Sequence, residues 1–541
     1  MGKRRPMPVQ QAKPKSHRAG SSITKSLHRS NLTDSHSPPP SSSLPPPSID
    51  VPDTTPRFKE LRGLYGIDPA IIDTLTDDLK FDHMMPVQAA TLAPLLQGND
   101  CLAQAKTGTG KTMAFLLPAV KTLLQNRTQR LSALVLCPTR ELALQIADEA
   151  KRLLQRFPRV KVATSIGGTN KNTEAQRILN GCDILVATPG RLLDHLSGEQ
   201  NISLATIQTL VLDEADRMLD MGFLPDMQRI LAYIPKGPRQ TMLFSATMDD
   251  QIANVTKLFL SEGYKYISTI PEGEANTHER VNQYLVTTPS IIEHAPALVS
   301  LVRAELVTSD DFKAIVFAPT AAQADFFGHV LASTRGLPPV SILHSRLSQS
   351  KRTNITAAFR TSKNAICVAT DVIARGMDFP GVSHVFQVGL PPDRESYIHR
   401  LGRTARAGAE GCGLLILSQE ETVFLNQLKK VRVQNYGRAL DYKVQDISHA
   451  LATLEQETKE KVYRACLGYL KMSARLLRWS SERVVQEANK FALQGLGCPE
   501  VPPLEKRLIG KMGLKGVPGL VVVPNAPGSS HGRPRTGDRG R

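Results

Sequence analysis

Nine times along this chain a short apolar run breaks off in polar residues and gives way to a longer stretch of helical periodicity. The first four runs are ALVLCPT (133–139), DILVATPG (183–190), TLVLDEAD (209–216) and TMLFSAT (241–247). The other five are KAIVFAPT (313–320), VSILHS (340–345), AICVATD (365–371), HVFQVG (384–389) and GLLILS (413–418). Runs without polar alternation are strands buried on both faces, as in a parallel sheet covered by helices on each side. Parallel neighbours need a long crossover, which the helical stretches supply. The polar IPEGEANTHER (270–280) divides the rhythm into two blocks. The expected fold is α/β, with two tandem parallel-sheet domains over 51–272 and 280–435. Such sheets bind ligands beyond the carboxyl ends of their strands, so the polar tips are where chemistry is expected.

The rhythm stops near 436. Residues 454–494 hold no proline and no interior strand pattern, and read as helical throughout, with Val462, Ala465, Cys466 and Tyr469 at core spacing. A helical extension over 436–520 is expected, then a basic tail over 521–541 carrying Arg533, Arg535, Arg539 and Arg541. Residues 1–50 include SPPPSSSLPPPS (37–48), which cannot build a core, so both termini read as disordered and basic. Before Asp34 the arm has no acid but carries Lys3, Arg4, Arg5, Lys13, Lys15, Arg18, Lys25 and Arg29. A basic, serine-containing, acid-free arm describes a mitochondrial transit peptide; the alternative is an arm that holds RNA or directs the chain to the nucleus. The formal net charge of +17 points to a polyanionic partner. The seven cysteines form no C-x-x-C pair, which suits a reducing compartment and argues against disulfides or structural zinc. No apolar run approaches the roughly 18–20 residues of a membrane-spanning helix, so no membrane partner is expected.

Three stretches carry chemistry. AKTGTGKT (Ala105, Lys106, Thr107, Gly108, Thr109, Gly110, Lys111, Thr112) lies between an apolar stretch and a helical pattern. It fits a phosphate-binding P-loop with Ala105 in place of the usual first glycine. Gly108 and Gly110 let the backbone approach phosphate oxygens, and the following helix aims N–H groups at the anion. Lys111 can reach the β- and γ-phosphates of ATP, and the Thr112 hydroxyl can ligate Mg²⁺. A plain glycine-rich turn would not need Gly, Lys and Thr in that order.

VLDEAD (211–216) ends a predicted strand in three acids within four positions. P-loop enzymes bring an aspartate from a second strand to Mg²⁺, which assigns Asp213 to the metal. Glu214 is expected to orient and deprotonate the attacking water. Asp216 can cap the next helix or pair with groups from the other domain. In the second block, Arg400, Arg403 and Arg406 recur every third residue, so a helix would put them on one side. A solvated basic face is the ordinary reading. The sharper one is an arginine finger for the γ-phosphate, worth ~10³–10⁵ in rate.

Taken together, MMPVQ (with Gln88), AKTGTGKT, PTRELALQ, TPGR, VLDEAD, SAT, HSRLSQ, ATDVIARGMD and HRLGRTARAG stand in the order of the DEAD-box RNA helicases. The resemblance spans roughly 56–430 and implies two RecA-like domains that close on ATP and RNA. It implies that Gln88 reads the adenine edge and that Phe58 stacks on the base, while Met85 stands where many members have threonine. Ser245 and Thr247 resemble the motif linking ATP state to closure, and Gly376 and Asp378 resemble nucleotide contacts from the second domain. Arg403 and Arg406 match the γ-phosphate arginines, and His399 matches the interdomain coupling histidine. Thr139, Arg140, Gly167, Gly168, Thr188 and Arg191 resemble first-domain contacts to the RNA backbone, and Arg346 and Thr370 those of the second. Contacts to phosphate and sugar give affinity without sequence reading.

The stretch over about 436–520 is similar to the fungal mitochondrial splicing-chaperone subgroup, whose helical extension packs on the second domain ahead of a basic tail. That likeness implies group I and group II intron RNAs as substrates and an extension that bends the RNA strand. The rival readings are a DEAD-box helicase of ribosome biogenesis, a non-catalytic RNA-binding chaperone, and a DNA helicase or other P-loop motor.

Overall fold

The computed structural model describes residues 55–525 apart from 107, 127–130, 199–201, 249, 271–280, 308–310, 372–378, 406–409 and 430. The basic arm, the tail from 526 onward, and Thr107, Gly376, Asp378 and Arg406 lie outside the described residues.

The first sheet contains β1 (Cys101–Gln104), β2 (Ala133–Leu136), β3 (Val162–Ser165), β4 (Ile184–Ala187), β5 (Thr209–Leu212), β6 (Gln240–Ser245) and β7 (Lys265–Ser268). They lie in the order β3-β4-β2-β5-β6-β1-β7, every neighbour parallel. The second sheet contains β8 (Val281–Thr288), β9 (Lys313–Phe317), β10 (Val340–Leu343), β11 (Ala365–Ala369), β12 (His384–Val388), β13 (Gly411–Ser418) and β14 (Gln434–Asn435). Its order is β10-β11-β9-β12-β13-β8-β14, the first sheet's order displaced by seven, and again parallel. This is the two-domain RecA-like α/β architecture.

Alternation along each strand supplies both helical layers. Ala133 and Val135 face one core with Phe115, Ile146 and Phe244. Leu134 and Leu136 face another with Leu192, Met218 and Ile252. The central strands β2, β4, β5 and β6 are buried throughout, as the unbroken apolar runs require. Of the five strands outside the nine runs, β1 precedes the P-loop and the two-residue β14 is exposed, and the other three are not buried on both faces. β3 is half-buried, β7 is mostly exposed at the sheet edge, and β8 alternates buried and exposed positions.

The strand order divides the candidate residues on the first sheet's carboxyl edge into two groups. β3, β4 and β2 lead into Gly167-Gly168, Thr188 and Thr139-Arg140, whereas β5, β6 and β1 lead into the acids, Ser245 and the P-loop. Neighbouring strands lie about 4.8 Å apart, so the two groups form adjacent patches on one rim.

The extension is not one unbroken helix. Gln456–Leu477 ends at Arg478, which takes the left-handed conformation (φ 57°). Ser480 then caps Ser481–Lys490 by accepting from Arg483 N at 3.2 Å. A serine cap stabilises a new helix start by about 1 kcal/mol, and the Trp-Ser-Ser-Glu stretch carried that signal. Leu504–Glu505 and Val522–Val523 also pair as a small parallel ladder, so the extension is not purely helical. Its apolar face merges with the second domain. Val462, Tyr463, Cys466 and Leu467 share a core with Phe326, Val330 and Leu331, and Phe491 meets Phe326 edge-on at 6.2 Å. Among the described residues, no helix is long and apolar enough to cross a membrane.

Candidate active site and nucleic-acid interface

The P-loop grows directly out of β1. Ala105 N donates to Ser245 O at 3.0 Å, which ties the loop's start to the tip of β6. The chain then turns through Gly108 and Gly110, both left-handed (φ 79° and 87°). Gly110 is also the N-cap of the helix Lys111–Gln125, so the cap carries no side chain that would cover the helix N-terminus. A Cβ at Gly110 would come within 2.5 Å of Gln88 Nε2, a second reason for glycine there. Lys111 is buried and donates from Nζ to Ala105 O at 3.2 Å. Thr112 is half-buried beside it, and Thr109 Oγ1 donates to Lys106 O at 2.8 Å. Gln88 braces the loop by accepting from Met85 N at 2.8 Å and donating to Gly110 O at 2.9 Å.

One assignment on this side is corrected. Phe58 is 1% exposed and sits in the first domain's core, so no face of its ring is open to a base. The segment leading to Gln88 holds two half-buried aromatics, Tyr65 and Phe81, and Phe81 is the nearer, seven residues before the glutamine.

Asp213, Glu214 and Asp216 leave the tip of β5 buried, at 3%, 3% and 6% exposure. Glu214 N donates to Asp213 Oδ1 at 3.0 Å. Glu214 itself is left-handed (φ 51°, ψ 52°), a conformation that costs a side-chain-bearing residue about 1 kcal/mol or more. The turn lets three carboxylates converge beside Lys111. Burial pushes the Asp213 pKa up to about 7, Lys111 opposes this, and Glu214 and Asp216 add to it. A buried acid cluster of this kind is stabilised by a further cation. Asp213 carboxylate with Thr112 hydroxyl is a hard-oxygen donor set that fits Mg²⁺.

The arginines do not share a helix side. The helix Arg394–Leu401 stops with Gly402 as its C-cap, and Ala405 is left-handed (φ 53°), so Arg403 stands in the following turn. Arg400 is no solvated face either. It is 1% exposed, grips Asp371 through two bonds of 2.7 and 2.9 Å, and stacks over the Phe317 ring at 5.3 Å. Arg403 is also 1% exposed, with Nε near His399 O at 3.4 Å. His399 Nε2 lies 3.8 Å from Asp216 Oδ2, joining the second domain to the acid cluster of the first.

On the other patch, Thr139 caps the helix Arg140–Leu153 through Leu142 N at 3.3 Å. Arg140 lies against the glycine pair: a Cβ at Gly167 would meet its guanidinium at 2.6 Å. Thr188 opens the helix Pro189–Leu196 and is 8% exposed. Arg346 is exposed, and Thr370 N donates to Leu343 O at 3.3 Å.

Comparison with known proteins follows the same division. The DEAD/DEAH box helicase family matches residues 85–255, and the helicase conserved C-terminal domain matches 296–408. A rice (Oryza sativa subsp. japonica) protein named DEAD-box ATP-dependent RNA helicase 26 is 44% identical over 82% of this chain and 83% of its own length. The chain belongs to the DEAD-box family of RNA helicases. A Phaeosphaeria nodorum protein named ATP-dependent RNA helicase MSS116, mitochondrial, is 42% identical over 86% of both chains. Among solved structures, Mss116p bound to ssRNA and AMP-PNP superposes with a TM-score of 0.77 at 30% identity, covering 88% of this chain and 99% of that one.

Two features of this DEAD-box chain were not foreseen from its motifs. Arg191 is held in an ion pair with buried Glu174 at 2.9 Å. Glu174 also contacts His195 at 3.1 Å, accepts from Ile166 N at 3.1 Å, and bonds Thr169, so one carboxylate fixes the glycine turn and the TPGR helix together. Between the domains, Glu141 takes Arg352 at 2.6 Å and Gln349 at 3.1 Å, all three buried. Gln349 and Arg352 stand three apart on one helix, but no local signal marks a carboxylate in the other domain as their partner. Among the described residues one further cluster, Glu305, His384 and Cys412, has metal-ligand composition. Its carboxylate is already engaged by His384 at 3.2 Å and Tyr436 at 2.6 Å. Burial also pushes the Cys412 thiol up to about 12, which disfavours the thiolate a metal needs.

Proposed function

We propose that this chain closes its two domains on ATP and single-stranded RNA, and uses hydrolysis to reopen, so that it unpairs structured RNA locally as an RNA chaperone. The observation that carries this reading is the 3.8 Å approach of His399 Nε2, from the domain that bears Arg403, to Asp216 Oδ2 in the acid cluster of the other domain. Lys111 and the P-loop backbone hold the phosphates. Mg²⁺, held by Asp213 and Thr112, supplies charge neutralisation of the phosphates when bound. Glu214 orients the attacking water and takes its proton. Arg403, with Arg406, stabilises charge on the γ-phosphate in the transition state, which ties turnover to closure.

RNA is held by Arg140, the Gly167-Gly168 turn, Thr139, Thr188, Arg346 and Thr370. ATP and RNA both bridge the domains, so by linkage each raises the other's affinity. Arg191 acts at one remove in this reading, since its charge is engaged by Glu174 and so it shapes the groove. The substrates are group I and group II intron RNAs in the mitochondrial matrix. The relatives named mitochondrial and the acid-free arm support this; a nuclear role in ribosome biogenesis is the alternative reading of that arm.

The test combines strand separation with splicing. The purified chain should unwind a short RNA duplex in ATP, Lys111→Ala should not, and the chain should accelerate release of a misfolded intron. Unwinding by the Lys111→Ala variant would remove the ATP-driven reading. Efficient unwinding without intron activity would remove the splicing role.

A further inference from the structure

The helical extension touches the arm that carries the arginines. β12 ends at Val388, and Gly389-Leu390-Pro391-Pro392 leads to Asp393, whose side chain caps the helix Arg394–Leu401 by accepting from Ser396 N at 2.6 Å. Two consecutive prolines have fixed φ, so this link is stiff and passes on the position of its start. That start is gripped by Tyr469, from the middle of the extension helix Gln456–Leu477. Its hydroxyl accepts from Leu390 N at 2.7 Å and donates to Glu421. Glu421 is 1% exposed and also accepts from Ser418 N at 2.9 Å and Ser418 Oγ at 3.1 Å, with His294 Nε2 at 3.2 Å. Gly389 is left-handed (φ 72°), and a Cβ there would meet the Tyr469 hydroxyl at 2.8 Å and Pro319 Cγ at 3.1 Å. Tyr469, Leu476 and Leu477 also pack against the cluster of Leu390, Tyr397, Ile398 and Leu401 beneath the same helix.

We infer that the extension is a working part of the ATPase site, with Tyr469 as a positioning residue that sets where the His399–Arg403 segment stands. The inference rests on the roles proposed above for His399 and Arg403. It differs from a role in RNA attachment, because the contact is made on the arginine-bearing arm and not on the RNA-facing rim.

The experiment measures RNA-stimulated turnover, KM for ATP, RNA affinity and thermal midpoint in the full chain. Tyr469→Phe keeps the ring but removes both hydroxyl bonds. It should lower kcat about tenfold while KM for ATP and RNA affinity stay within about twofold. Gly389→Ala, which pushes on the same hydroxyl from the other side, should lower kcat likewise. Tyr463→Phe is the control: its hydroxyl donates to Asn489 Oδ1 at 2.8 Å, within the extension. It should lower the thermal midpoint comparably but leave kcat within about twofold. Unchanged kcat in Tyr469→Phe, or an equal loss in Tyr463→Phe, overturns the inference. Arg403→Ala separates the two claims. If it retains full turnover, the proposed finger is wrong. If it loses turnover while Tyr469→Phe does not, only the positioning role is wrong.

Discussion

Replacing Arg352 with methionine should uncouple the domains without damaging either one. In the closed arrangement Arg352 and Glu141 are 4% and 3% exposed and 2.6 Å apart. Burial lowers the Arg352 pKa, and Glu141 pulls it back up, as expected of a cation desolvated against its partner. At an effective dielectric of 20 the Coulomb attraction at such a distance is about 6 kcal/mol, most of it offset by desolvation. Arg352→Met fills similar volume but leaves the Glu141 carboxylate buried with only the Gln349 amide. Stranding one partner of a buried pair costs about 3–5 kcal/mol, and Gln349 places this case near the lower end. In the open form both residues meet water, so about 3 kcal/mol falls on closure alone, or ~100-fold. The assay is RNA affinity with and without a non-hydrolysable ATP analogue. The variant should bind RNA ~100-fold more weakly with the analogue and nearly as well as the parent chain without it. Arg352→Met with Glu141→Gln should recover most of the loss, since no charge is left stranded. Equal weakening with and without nucleotide, or no weakening, would refute the reasoning.

Glu214→Gln should keep ATP binding but slow hydrolysis by about 10²–10⁴, so that RNA release in ATP becomes slow; single-turnover hydrolysis and RNA dissociation rates check this. Glu174→Gln removes the charge that fixes Arg191, Thr169 and the Ile166 amide, and should weaken half-saturating RNA roughly tenfold or more while ATP affinity without RNA stays unchanged. Glu421 gives a pH prediction. Burial alone would raise its pKa, but His294, Tyr469 and the Ser418 amide together hold it below the usual glutamate value. A depressed folded pKa gives stability that is present above the unfolded value, about 4.3, and is lost as pH falls through the folded value. The stability gap between the parent chain and Glu421→Gln, from denaturant titrations, should therefore be largest near neutrality and shrink below pH of about 4.

The sheets were legible because buried strands such as β2 and β5 must be apolar at every position, and that leaves an unbroken run. β7 and β8 were not, because exposed faces admit polar residues. Lys111 and Asp213 stood out as candidates because phosphate and metal chemistry restricts both residue type and spacing, and the structure brings the two buried side chains together. Of the two readings open for Asp216, helix capping or pairing with the other domain, the structure puts His399 Nε2 within 3.8 Å of its carboxylate. Arg400 misled, since spacing by three reads as a helix face although the helix ends at Leu401 and Arg400 is bound to Asp371. Phe58 misled in a similar way: an aromatic upstream of Gln88 matched a pattern, but its backbone N donates to Asp82 O and its ring belongs to the core. Tyr469 read only as a core position, and its hydroxyl bonds, like the Glu141–Arg352 pair and the network around Glu174, could not be read because pair geometry leaves no local mark.

The central claim is that ATP turnover depends on an RNA strand held across both domains. Steady-state ATPase of the purified chain, measured alone, with structured RNA and with DNA of matched length, tests it most directly. Strong stimulation by RNA and little by DNA is the predicted result, since ribose 2′-hydroxyls distinguish the two. Turnover that is the same with and without RNA would contradict it.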